Sequence, residues 1–404
     1  MLPSKPLLDE ARWSEIDLLC ESARTFLNRG EGACLRMLLD QKSPQSFDWA
    51  ALERTAERHA MMPLVANALA HADANLVPPE IREWLLERLR LNLCNNLMFL
   101  AEWRRLLHAF NTAGIPVISF KGPALTLQAY GDLALRQFSD LDLLVNCVDV
   151  FKARDVLAGE GYELRSAVAD GSHAALLRSG NCELGFANSQ GARIEIHWAA
   201  LHRMFPFQLP VEELFNSARL EQRKGISFLS LSPEYQLLYL CAHGTKHCWS
   251  RLGWLCDVAC HVQAARELDW KLCFSLADAT NCDLVLKHSL LLAEQVLRLD
   301  LPASVSDYCA DAKARTLAKT ARAFLLRDGD SLGKVEGLRY YLAFAKGWRD
   351  SARLLFERLL VPSETEWKHL RLPRTLHCLY YVIRPARFVW EHLFKAAVQF
   401  RREG

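Results

Sequence analysis

The chain has 404 residues, enough for two or three compact units at ~150 residues each. Hydrophobic residues make up 51% and charged residues 24%, which excludes a disordered or fibrous chain. A formal charge of +2 is too small to hold long nucleic acid by bulk attraction. The 13 cysteines are odd in number and scattered, and read as buried or free thiols in a reducing compartment. The start, MLPSKPLLDEARWSEIDLL, carries acidic residues where a secretory leader is apolar. No apolar run approaches the ~20 residues that cross a bilayer. The expectation is a cytoplasmic protein.

Residues 1 to about 110 read as helical, with apolar spacing through Ile81, Trp84, Leu85, Leu89, Phe99 and Leu100. Pro78-Pro79 breaks the preceding segment, and Gly114 followed by Pro116 stops the last helix. The texture then changes. Val117 to Phe120 is a short β-prone run closed by Lys121-Gly122, and a helix starts at Pro123 and ends at Gly131. Ser139 to Val145 reads as a strand and Val148 to Leu157 as a helix. Cys182 to Phe186 and Arg193 to Trp198 read as two strands around a turn at Asn188 to Gly191. Helix returns at Ser232-Pro233, an N-cap with a first-turn proline, and continues in several amphipathic segments.

Chemistry concentrates in the middle unit. Strand alternation puts Asp140 and Asp142 on one face while Leu141, Leu143 and Val145 face a core. Two carboxylates this close repel, and their hard oxygens suit Mg²⁺ or Mn²⁺. In Arg193-Ile194-Glu195-Ile196-His197-Trp198 the isoleucines take one face, and Arg193, Glu195 and His197 the other. Glu195 is thus a third carboxylate on a strand that could neighbour the first, the arrangement that holds metals for phosphoryl transfer. Phe120-Lys121-Gly122-Pro123 is a strand-to-helix turn where backbone amides and the Lys121 charge can meet a phosphate. Each signal is common alone; their order and spacing carry the reading.

Lys121-Gly122, the run Arg136-Gln137-Phe138-Ser139-Asp140-Leu141-Asp142-Leu143-Leu144-Val145, and Glu195-Ile196-His197-Trp198 together resemble the polymerase-β-like nucleotidyltransferase superfamily. Within it, they look like the uncharacterised nucleotidyltransferase family. Ala242-His243-Gly244 and Arg251 to Asp257 add further matches, so the resemblance covers roughly residues 90 to 265. It implies an α+β fold: a helical N-terminal segment (1–111), a small mixed-sheet nucleotidyltransferase core (112–225) and a large helical C-terminal domain (226–404). It also implies Asp140, Asp142 and Glu195 as catalytic metal ligands. Lys121, Gly122, Arg136, Ser139, His243, Lys246 and Arg251 would bind a nucleoside triphosphate. The acceptor would be a small molecule, a sugar or a peptide. Where the superfamily usually has Gly-Ser, this chain has Lys121-Gly122, without the phosphate-touching hydroxyl. That departure keeps open a second function, a catalytically weak nucleotide-binding or scaffolding module.

Other patterns are more ambiguous. Arg136, four residues before Asp140, reads either as a phosphate or carboxylate partner near the metals or as a structural ion pair that holds the acidic turn. His243 and His247 share a helical face and, with Asp257, could suggest zinc or a hydrolase, but Gly244 stands where H-E-x-x-H has Glu. Cys256 and Cys260 read as buried small residues. The stretch from Trp367 to Arg402 mixes eight Lys or Arg with aromatics, which fits a packed terminal helix or contact with a membrane surface.

Overall fold

The computed structural model describes residues 15–28, 33–40, 47–73, 75–165, 182–265, 267–327, 333–361, 372 and 374–387. Four helices open the described chain: α1 (Glu15–Asn28), α2 (Ala33–Asp40), α3 (Trp49–Arg58) and α4 (Met62–Ala70). The long α5 (Pro79–Thr112) starts on a proline at its first turn and ends before Gly114, whose φ of +66° stops it. A seven-stranded mixed sheet follows, in the order β3-β4-β5-β2-β1-β7-β6. Its strands are β1 (Ile118–Ser119), β2 (Leu141–Leu144), β3 (Tyr162–Leu164), β4 (Glu183–Asn188), β5 (Arg193–His197), β6 (Arg219–Arg223) and β7 (Ile226–Ser230). The helices α6 (Gly122–Leu125), continued by a π turn over Thr126–Tyr130, and α7 (Val150–Gly159) lie within the sheet's sequence.

The mixed unit reaches further than its expected edge at residue 225. That position falls in the turn of the β6–β7 hairpin, and β7 pairs parallel with β1 to run to Ser230. The polar run Arg219–Arg223 does not alternate like a half-buried strand, and its side chains are mostly exposed at the sheet edge.

The sheet separates two cores. On one face Leu141, Leu143, Ile194, Ile196 and Phe186 meet α5 and α7. The α5 contribution is Phe99, Trp103, Leu106 and Phe110, one stripe at helical spacing. Trp103 Nε1 donates to Ser119 Oγ at 2.8 Å, so the indole enters the core with its polar atom satisfied. On the other face Ile118, Phe120 and Leu144 join the larger core of the helical body. That body includes α1, α3 and α4 together with α8 (Val211–Asn216), α9 (Pro233–Lys246), α10 (Leu252–Ala264), α11 (Trp270–Ala279) and α12 (Asp283–Leu297). Helices before and after the sheet therefore share one core. Ser232 caps α9, its hydroxyl accepting from Tyr235 N at 3.3 Å, with Pro233 in the first turn.

All 13 cysteines are free, and Cys256 and Cys260 are buried. Among the described residues no helix is long and apolar enough to cross a membrane. Of the stretch Trp367 to Arg402, residues 367–371, 373 and 388–402 lie outside the described residues, as do residues 1–14. In the part described, Tyr380 is buried, and its hydroxyl accepts from Leu372 N at 2.9 Å.

Candidate active site

The acids lie on the sheet face that meets the helical body. β2 and β5 run parallel, and their register sets Asp142 directly beside Glu195 and Leu144 beside His197. The apolar residues between them point into the opposite core, so the alternation that buries Leu143 and Ile196 is what brings the carboxylates together. Asp140 stands one residue before β2.

Two cations answer these charges. Lys121 Nζ lies 2.6 Å from Asp142 Oδ1. His197 Nε2 lies 3.1 Å from the same oxygen and 3.4 Å from Glu195 Oε2. Burial alone would push the Lys121 amine down; the charge of Asp142 and the neighbouring Tyr239 outweigh it and hold it well above its ordinary value. Burial likewise works against charge on His197. Its contacts with Asp142 and Glu195, with the Cys182 thiol and the Glu183 charge nearby, raise it well above the usual imidazole value. Burial would raise Asp142, but Lys121 and His197 hold it below the carboxylate range. The His197 hydrogen bond also lowers Glu195. Asp140 is the acid left over: burial first, then the charges of Asp142 and Glu195, lift it to about 6.

That cluster tests the fit of a divalent cation. Lys121 and His197 sit against the carboxylates of Asp142 and Glu195, and Asp140 is raised first by burial and then by the charges of those two acids. Donor atoms of Asp142, Glu195 and His197 lie within 4.8 Å of one another. A set of mainly carboxylate oxygens fits Mg²⁺ or Mn²⁺.

A cleft of about 740 Å³ opens over the acids, between the sheet and the helices α3–α5, α9 and α10. Lys121, Gly122, Arg136 and Ser139 line it on the sheet side. His243, Lys246 and Arg251 line it from the helical body, and Asp140, Asp142 and Glu195 lie in the same lining. At Gly122 the backbone has φ +53°, and a Cβ there would sit 3.4 Å from the Asp140 carbonyl oxygen; glycine keeps the turn tight against the acidic loop.

Arg136 makes an ion pair, though not with the acidic turn. Its Nε and Nη2 bond the two oxygens of Asp257 at 2.7 and 2.9 Å, and Tyr130 OH donates to Asp257 Oδ1 at 2.7 Å. Its Nη1 is buried without a hydrogen-bond partner, in a residue that lines the cleft. Both oxygens of Asp257 are thereby engaged, and no ligand set of His243, His247 and Asp257 is present among the described residues. Burial, then nearby positive charge, drives both imidazoles down, His247 to about 3, so both are neutral. Gly244 has a packing reason: a Cβ there would fall 2.3 Å from the Trp249 ring.

Several contributors carried no assigned role in the sequence. His197 shares Glu195's face by simple alternation, and that parity was the available signal. Asn92 Nδ2 donates to the Ala134 carbonyl at 2.8 Å, and Asn96 Nδ2 to those of Leu133 and Arg136 at 2.6 and 2.7 Å. These amides hold the loop carrying Arg136 against α5. Their signal is an Asn pair at i, i+4 on one face of an amphipathic helix. Trp254 stacks on His247, ring centroids 4.7 Å apart, with Arg251 5.4 Å from the Trp254 ring centroid.

A mixed sheet presenting paired acids under a cation-lined cleft is the layout of a nucleotidyltransferase core. The family described as an uncharacterised nucleotidyltransferase matches residues 45–298, well over half of the chain, and the chain belongs to that family. The match runs from just before α3 to the end of α12 and contains every cleft residue named above. No curated protein and no solved structure matches the chain.

Proposed function

We propose that this chain transfers a nucleoside monophosphate from a nucleoside triphosphate to a hydroxyl or phosphate of a small-molecule, sugar or peptide acceptor. In this reading Asp140, Asp142 and Glu195 hold Mg²⁺ or Mn²⁺. The observation that carries it is the in-register pairing of Asp142 with Glu195 at the floor of the cleft. When bound, the divalent ion would neutralise phosphate charge and polarise the acceptor oxygen. The chain's own residues do the rest. Lys121 balances Asp142 and stands at the turn over which the phosphates would lie. Arg136 offers its unpartnered Nη1, and Lys246 and Arg251 add positive charge along the cleft wall. Neutral His243 and the exposed Ser139 hydroxyl can hydrogen-bond phosphate or sugar without adding charge. Most of the acceleration would come from positioning and charge neutralisation.

A second reading, a nucleotide-binding or scaffolding module with little turnover, is favoured by one observation. Asp142 is already answered by Lys121 and His197, so the fold does not need a metal to tolerate it. Titration of the four triphosphates with and without Mg²⁺, followed by pyrophosphate release, separates the two. Transfer requires Mg²⁺-dependent pyrophosphate release with at least one triphosphate and an acceptor from cell extract. Tight binding with no pyrophosphate from any of them favours the module.

A further inference from the structure

The imidazole of His197 has a second side. Its Nε2 faces Asp142 and Glu195, and its Nδ1 faces away from them, toward Glu183 and Cys182. The ring is 96% buried by side-chain area, only 4% remaining exposed, yet Nδ1 has no hydrogen-bond partner. Glu183 Oε2 lies 3.3 Å from it at ion-pair distance, and Cys182 Sγ lies 3.8 Å from the same oxygen. Donor atoms of all three residues are within 4.8 Å of one another.

Those separations have a chemical meaning. Zinc bonds of ~2.0 Å to oxygen or nitrogen and ~2.3 Å to sulfur put tetrahedral ligands about 3.5 Å apart. The Nδ1–Oε2 and Oε2–Sγ separations, 3.3 and 3.8 Å, bracket that edge length. The three donors also come from hydrogen-bonded backbone. Glu183 and His197 are directly opposite in the β4–β5 register, and Trp198 N donates to the Cys182 carbonyl at 2.9 Å. The Phe120 ring meets the imidazole edge-on with centroids 5.4 Å apart, which fixes its plane. Glu183 is partly exposed and lines the cleft, which gives an ion a way in.

We propose that Cys182, Glu183 and His197 form a binding site for a borderline transition-metal ion, Zn²⁺ by preference, separate from the carboxylate site on the other side of the same imidazole. Thiolate, imidazole and one carboxylate select such an ion over Mg²⁺, while Asp140, Asp142 and Glu195 offer only oxygen. A tetrahedral ion keeps its fourth position for water. The His197 proton then stays on Nε2 and is donated to Asp142, the carboxylate–histidine–metal pattern that orients many metal ligands. An ion here ties β4 to the acid pair. The inference does not depend on nucleotidyl transfer.

Co²⁺ is the probe, added to the full-length protein freed of metal by chelation and kept reduced without added thiol. One equivalent should produce a near-ultraviolet thiolate-to-cobalt absorption that one equivalent of Zn²⁺ removes and excess Mg²⁺ does not. Cys182→Ser should abolish the band while the other twelve cysteines remain. Glu183→Gln, at a partly exposed side chain, should keep the band but weaken Co²⁺ by at least the ~10–100-fold that loss of a mere supporting partner costs. Asp140→Asn should leave the band in place. Absence of the band in the wild type overturns the proposal. So does a band that survives in Cys182→Ser, or Co²⁺ affinity unchanged in Glu183→Gln. Circular dichroism of each variant confirms that a lost band is not a lost fold.

Discussion

Burial, with the charges of Asp142 and Glu195 behind it, disfavours the Asp140 anion, and replacing that residue gives a clean perturbation. A carboxyl lifted from its ordinary 3.8 to about 6 corresponds to about 3 kcal/mol at ~1.4 kcal/mol per pKa unit. Asp140 borders the open cleft, so solvent screening reduces the figure to about 1–2 kcal/mol. The sign follows from proton uptake. Between pH 4 and 6 the folded chain holds the Asp140 proton more tightly than the unfolded chain does, so this group's contribution falls as pH rises through that window. Asp140→Asn lacks the loss. Without metal it should match the wild type in urea unfolding near pH 4 and exceed it by about 1–2 kcal/mol at pH 8. Mg²⁺ should reverse the order. At a concentration a hundred times its dissociation constant it stabilises the wild type by about 2.7 kcal/mol, and the variant by less. A variant no more stable than wild type at pH 8, or an equal Mg²⁺ shift in both proteins, would refute this reading of Asp140.

Other substitutions separate structural from chemical roles. Asp142→Asn strands Lys121 and His197 in a buried setting and should destabilise the fold by about 3–5 kcal/mol in the same urea assay; a loss near zero would show that the three groups are not coupled. Gly122→Ala forces a side chain into φ +53° beside the Asp140 carbonyl and should cost about 1–2 kcal/mol, seen as a lowered melting temperature. Arg136→Lys breaks the paired bonds to Asp257 and removes Nη1 from the cleft; triphosphate affinity by calorimetry should fall ~10–100-fold, the worth of one charged hydrogen bond, and unchanged affinity would confine Arg136 to structure.

The acid-bearing strands were legible in the sequence because their signal is local. Alternating Asp140-Leu141-Asp142-Leu143 and Ile194-Glu195-Ile196 fixes which side chains share a face, and the structure places them so. Register is different: that Asp142 meets Glu195 rather than Arg193 depends on a parallel pairing between strands more than fifty residues apart. The β6–β7 hairpin went unread because edge residues such as Arg219 and Gln222 are free to be polar. Arg136 illustrates the same limit within the site. Its spacing from Asp140 suggested a partner in the acidic turn, whereas its partner, Asp257, lies 121 residues away on α10. Asn92 and Asn96 look like ordinary solvated positions until the Ala134 and Arg136 carbonyls are seen to need donors. Long-range polar pairing is what composition and periodicity do not encode.

The central claim is that Asp140, Asp142 and Glu195 act together on a metal-bound triphosphate. The most direct measurement follows transfer of label from an α-³²P triphosphate to an acceptor in cell extract, comparing wild type with Glu195→Gln, whose parent side chain is only partly buried. The account predicts a labelled product that needs Mg²⁺ or Mn²⁺ and is lost in the folded variant. Equal labelling by Glu195→Gln, or labelling that persists in a chelator, would contradict it.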